Sequence, residues 1–220
     1  MQDYGLYALI VSVISLSTSG LVVYISYFKP AKLEMIVGKS VSFYPLPERV
    51  ADGFEWGGLA FQIPITFQNW SPKGGTIEEV RIVLEYKNAP NTNFDMAWCT
   101  FTHLHSDEFR WVNKSVAQPI AVSGKSAISE MILFAWKKNA GYELKMEAGE
   151  YVIKILAWET GDEKPSLKFE DTFIISKEVA KSHANFMAKK LPMTVDIPLG
   201  ESSRTNTVIS RAQVKELYQL

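Results

Sequence analysis

Read by period alone, the chain falls into three parts. Residues 6–28 form a run without Asp, Glu, Lys, Arg or His. At 1.5 Å per residue such a run makes a helix of about 34 Å, enough to cross a hydrocarbon core of about 30 Å. Tyr4 and Tyr7 at one end and Tyr24, Tyr27 and Phe28 at the other suit the two interfaces, and Lys29 and Pro30 stop the helix. From residue 32 to 176 apolar positions recur every second residue. Leu33, Met35 and Val37, then 41–44, predict a first strand with a bulge at Gly38, ended by Pro45 and Pro47. Leu59, Phe61, Ile63, Ile65 and Phe67 predict a half-buried strand, with Pro64 marking an edge or a bulge. Ile77 to Tyr86 supplies the next, and Met96 and Trp98 a short one that fades into polar residues until Trp111. A weak strand over Val116, Ile120 and Val122 follows, then an apolar one over 128–136. Tyr151 to Ala157 and Leu167 to Ile174 predict a hairpin.

After Ser176 the period turns helical: Val179, His183, Phe186 and Met187 line one side of 177–190, opposite Lys181 and Lys189. That helix is expected to pack on its own domain rather than on anionic headgroups. Pro192, Pro198 and Gly200 predict an extended linker, and 208–220 a short terminal helix. The domains expected are therefore an N-terminal transmembrane anchor over 1–30, a β domain over 31–176, and a helix with a C-terminal tail over 177–220.

About seven short strands with scarcely a helix between them predict a mainly β, two-sheet antiparallel sandwich. The run from Phe61 to Asn69, the Gly-Gly turn before Ile77, and Ala148-Gly149-Glu150-Tyr151 resemble immunoglobulin-like or fibronectin-like β-sandwiches. An N-terminal span joined to such a domain is similar to uncharacterised single-pass prokaryotic membrane proteins. The resemblance implies a fold and no chemistry.

Within the span Ala8, Ser12, Ser15, Ser19, Val22 and Ser26 follow alternating steps of four and three, along one side of a helix. Small side chains let helices approach closely in lipid, so this stripe is a candidate packing seam for a second helix or a second copy. Serines bonding back to their own helix are the alternative. A cleaved signal peptide competes with the anchor, but no Lys or Arg precedes the run, and it resumes after Gly20.

Charge adds an orientation. Only Asp3 precedes the span, whereas Lys29, Lys32 and Lys39 follow it against Glu34, which places the domain in the cytoplasm by the positive-inside rule. A lone cysteine, Cys99, agrees with a reducing compartment. The net charge of -1 gives no general attraction to nucleic acid.

Candidate chemistry is sparse, and no cofactor is expected. If the chain is extended around Cys99, then Cys99, Phe101, His103, His105 and Asp107 share a face, and His103, His105 and Asp107 could hold a metal for a hydrolytic domain. Solvated histidines are the simpler reading. Cys99 reads as a buried small hydrophobe, and Asp107-Glu108 and Asp162-Glu163 as solvated turns. Of six tryptophans, Trp56 and Trp70 are the expected exposed pair, and an external domain could use them on envelope glycans or peptides. The leading expectation is a membrane-anchored protein-interaction domain, an adaptor or accessory subunit without catalysis.

Overall fold

The computed structural model describes residues 3–51, 53–89, 92–105, 110–138 and 143–199. The apolar run folds as α1 (Asp3–Val23), continued by one π-helical turn (Tyr24–Phe28). Together they make one helix, Tyr4–Phe28, long and apolar enough to span a membrane, and none of it is buried among the described residues.

The strands that follow are β1 (Leu33–Val37), β2 (Ser40–Val50), β3 (Gly53–Asn69), β4 (Gly75–Tyr86), β5 (Asn93–His105) and β6 (Arg110–Val116). Next come β7 (Ile120–Val122), β8 (Ala127–Lys137), β9 (Gly149–Glu159) and β10 (Leu167–Ile175), then α2 (Lys177–Ala188) and β11 (Val195–Pro198). Every pairing among them is antiparallel.

Strand spacing predicts two separate sheets, but the hydrogen-bonded path is a single one, β10-β9-β4-β5-β8-β3-β2-β11, with β1 on β3, β6 on β5 and β7 on β4. Strand β5 makes it continuous. Its first half pairs with β4, from Phe94 opposite Leu84 to Ala97 opposite Arg81. A register shift between Trp98 and Thr100 then turns its second half onto β8, with Thr100 opposite Leu133. Bent there, the sheet wraps until β10 approaches β1 and β11 at its free edges, nearly closed like a barrel. Alternation sends Phe43, Phe61, Ile63, Ile65, Phe67, Ile82, Leu84, Ile132, Phe134 and Ile153 into one core. Each such side chain contributes on the order of 1.5–3 kcal/mol by leaving water.

Three sequence expectations change here. Gly38 and Pro64 do mark an irregularity: the β1–β2 run breaks where Gly38 donates its N–H to the Pro64 carbonyl at 2.7 Å, and a Cβ on Gly38 would lie 2.2 Å from the Pro64 ring. Strand β2 does not stop at Pro45 and Pro47. It runs through both to Val50, because beyond Phe43 it has a partner on one side only, and such an edge tolerates a residue without an N–H. Finally, the expected linker around Pro192 and Pro198 contains β11, which pairs Val195 with Phe43 and Ile197 with Val41 and buries Val195, Ile197 and Leu199. The terminal helix expected over 208–220 lies outside the described residues.

The N-terminal helix leaves the β body at a defined end. Leu33 pairs with Asn69, so the anchor root shares an end with the β3–β4 turn, the β7–β8 turn and the β9–β10 turn. Asn69 is buried and fastens that end. Its side-chain N–H₂ donates to the carbonyls of Lys73 at 2.8 Å and Val122 at 3.2 Å, while its oxygen accepts from the Ser71 N–H at 2.9 Å. The β2–β3 hairpin, the 143–148 segment and the start of α2 lie at the opposite, distal end.

Candidate functional site

Helix α2 closes the distal end. Ser176 caps it, its hydroxyl accepting from the Val179 N–H at 3.2 Å, and Glu178 in the first turn complements the helix dipole. Val179, Ala180, His183 and Met187 face the sheet, as the helical period predicts for three of them, whereas Phe186 turns outward. Trp56 ties the far end of the helix to β3 by donating its indole N–H to the Met187 carbonyl at 3.0 Å. The helix therefore packs on its own body, as expected.

Opposite α2 runs the 143–148 segment, in which Leu144 and Met146 point inward between Glu143, Lys145 and Glu147. The charged-apolar alternation of Glu-Leu-Lys-Met-Glu carried that signal and sequence reasoning passed over it. Two tyrosines hold the segment. Tyr86 donates its hydroxyl to the Ala148 carbonyl at 3.0 Å, and Tyr151 exchanges hydrogen bonds with the Glu147 backbone at 2.9 and 3.1 Å. Tyr151 stacks between Tyr86 and Phe173, and burial pushes its phenol up to about 12.

Between α2 and this segment lies a cavity of about 480 Å³, lined mainly by Leu59, Leu144, Met146, Ala180, His183 and Met187. It is mostly apolar, with a rim charged by Glu143, Lys145 and Glu147. His183 is buried, edge-on to Phe43 at 5.2 Å, and its Nε2 has no hydrogen-bond partner. Burial lowers the imidazole pKa, so the ring is neutral at pH 7.

A pH dependence of stability follows. Above the ordinary value of about 6.5 the ring is neutral folded and unfolded, so it contributes no slope. Below that value the unfolded chain takes up a proton that the folded one refuses, so stability falls with pH until the lower folded pKa is reached. The urea midpoint is expected to drop between pH 7.5 and pH 5.5, and His183→Leu to flatten that drop. An unchanged slope in the variant would show that other groups cause it.

The predicted metal constellation falls partly outside the described residues. His103 and His105 lie on β5, with His103 exposed and His105 half-buried, its Nδ1 unpartnered, and Asp107 and Glu108 lie outside the described residues. Strict alternation would give Cys99, Phe101 and His103 one face. Register shifts on both sides of Phe101 defeat it: Phe101 and Thr102 are both buried while Cys99 and His103 face solvent. Cys99 is exposed rather than buried, because it sits at the bulge where β5 changes partners. No group of three metal-ligating side chains occurs among the described residues.

The tryptophan expectation holds for Trp70, which is 56% exposed, and fails for Trp56, half-buried under α2. Trp111, 41% exposed on β6 beside Leu104, joins the exposed set instead. In α1 the Ser12 hydroxyl donates back to the Ala8 carbonyl and the Thr18 hydroxyl to that of Ile14, both at 2.8 Å. Ala8, Ser12, Ser15 and Ser19 are exposed, and Ser26 is half-exposed.

No protein-family model matches the chain, and no curated protein matches it. Among solved structures it is similar to that of Spo0M, a sporulation control protein from Bacillus subtilis, at 8% identity and a TM-score of 0.31 over 67% of this chain. The match covers 50% of that protein, so the chain spans about half its length.

Proposed function

We propose that this chain is a single-pass membrane protein whose β body, set on the cytoplasmic side, is a binding platform for another protein, in the manner of an adaptor or accessory subunit. The observation that carries the reading is the helix Tyr4–Phe28: it has no charged residue and none of the other described residues covers it. In water it would expose a contiguous apolar surface far beyond what soluble monomers show, whereas lipid satisfies it. The body supplies an immunoglobulin-like service, a rigid antiparallel frame presenting loops at two ends and the edge strand β6. The distal cavity under α2 is the best-shaped place on it for a partner's apolar side chain. Ala8, Ser12, Ser15, Ser19 and Ser26 give the anchor a face on which a second helix can pack closely.

Alkaline carbonate extraction of membranes from cells making the full chain tests the anchor, and reporters fused after Leu220 test the side. The protein is expected in the pellet, with a fluorescent reporter bright and a phosphatase reporter silent. Recovery in the supernatant would remove the anchor, and an active phosphatase would place the body outside.

A further inference from the structure

We infer that the anchor-proximal end of the β body is itself a lipid-contact surface, with Trp70 and Lys125 seated against phospholipid headgroups of the bilayer that holds the helix. The inference rests on the membrane-spanning reading and adds a second point of attachment. Its starting point is the length of the tether. From Phe28 to Lys32 the chain advances four residues, at most about 14 Å when fully extended. The Lys32 carbonyl then accepts the Trp70 N–H at 3.0 Å. A tether so short cannot hold a body of this size clear of the surface, so the end around Trp70 meets the headgroup layer, about 5–7 Å thick on each side.

What lies at that end suits the layer. The Trp70 ring is exposed while its indole N–H donates to Glu34 Oε2 at 2.7 Å, which leaves an apolar face with its polar atom already satisfied. Beside it an open cleft of about 360 Å³ is lined by Gln68, Asn69, Trp70, Lys125, Ser126 and Ala127. Lys125 is fixed there by a left-handed backbone, φ 50°, and by its N–H bond to the Ser71 carbonyl at 2.8 Å. Lys29 and Lys32 in the tether and Lys73 in the β3–β4 turn add positive charge at the same end.

The opposing charges are unevenly placed. Glu34 lies beside Trp70 and accepts its indole N–H, while Glu159 and Asp162 line a second cleft at the same end, about 670 Å³, together with Lys73, with Glu163 and Lys164 in the adjoining turn. The exposed Trp70 ring and the adjacent Lys125 ammonium make their side the one suited to meet anionic headgroups.

Tryptophan emission of the full chain in phosphatidylcholine vesicles containing about a quarter phosphatidylglycerol tests this, with and without lipids brominated near the top of the acyl chain. Flotation of the same vesicles reports anchoring separately. Bromolipid is expected to quench the wild type, Trp70→Phe to lose at least half of that quenching, and Lys125→Glu to reduce it as well. Near-UV circular dichroism checks that both variants remain folded. Protein that floats but is not quenched, or is quenched equally in Trp70→Phe, overturns the inference and leaves the anchor standing. Protein that does not float overturns both.

Discussion

Replacing Ile14 and Leu16 together by arginine is expected to move the protein from the membrane pellet to the soluble or degraded fraction, a loss of at least tenfold in membrane-integrated protein. Residues 4–28 hold twelve Leu, Ile, Val and Phe side chains. At about -0.3 to -0.6 kcal/mol each they favour insertion by roughly 4–7 kcal/mol, before the serines and glycines subtract from it. Each arginine near the centre of the span costs about 2.5–3.5 kcal/mol and also forfeits the residue it replaces, so the pair removes roughly 6–8 kcal/mol. That cancels the whole gain. Immunoblots of carbonate-washed membranes measure the effect. The β body should be indifferent to it, because Ile14 and Leu16 touch none of it and are 59% and 76% exposed. A fragment starting at Ala31 should accordingly show the melting temperature of the full chain in detergent to within a few degrees. Retention of the double variant in the washed pellet would mean that something other than the apolar helix holds the protein to membranes.

The N-terminal helix was legible because a long run without charged residues is a matter of composition alone. The main strands were legible for a related reason: β4 and β10 largely alternate buried with more exposed residues, while β3, β8 and β9 add runs of consecutive buried apolar residues, so each is dense in apolar side chains. Legibility ended where strand partners change. Strand β5 reads as a short strand over Met96 and Trp98 because its two bulges put consecutive residues on the same side, yet it continues to His105. The same bulges take Phe101 into the core and leave Cys99 and His103 in solvent, so the face expected from perfect alternation loses its middle member. Edge strands hid differently. β6 carries Trp111 and Val116 in the open, and β11 is four residues long and ends in Pro198, so neither presents the apolar density by which strands are recognised. Asn69 marks the other side of that limit: its bonds to Ser71 and Lys73 are local, but the one that ties the β3–β4 turn to β7 goes to Val122, far away in sequence. The distal cavity belongs to the same class. Its walls come from β3, the 143–148 segment and α2, and only their assembly creates it.

Gly58→Ala is expected to destabilise the β body by about 3 kcal/mol, lowering its melting temperature by roughly 6–12 °C, more than any other glycine-to-alanine change in the strands. Two costs add at this position. Gly58 has φ +150°, a conformation that a side chain resists at about 1–3 kcal/mol. A Cβ there would also stand 1.9 Å from the Trp136 carbonyl oxygen, a backbone atom of β8 that cannot rotate away. Relief requires the strands to part, at a further cost on the order of 1–3 kcal/mol. The site admits little movement, because Gly58 pairs with Leu46 on one side, next to the bulge of β2, and with Lys137 at the end of β8 on the other. Gly53→Ala separates the two contributions. Gly53 has φ +124° but nothing within 4 Å of the added carbon, so it should lose only the conformational part, about 1 kcal/mol. The consequence reaches the distal cavity, since Trp56, two residues before Gly58, holds the Met187 end of α2, and Leu59, the residue after it, forms part of the cavity wall. Parting β3 from β8 should therefore loosen α2 before the core melts, seen as faster amide exchange over 177–188 than over β4 and β9 under native conditions. Equal melting temperatures for Gly58→Ala and Gly53→Ala would show that the Trp136 carbonyl yields without cost, and the close β3–β8 approach would then not be what fixes the distal end.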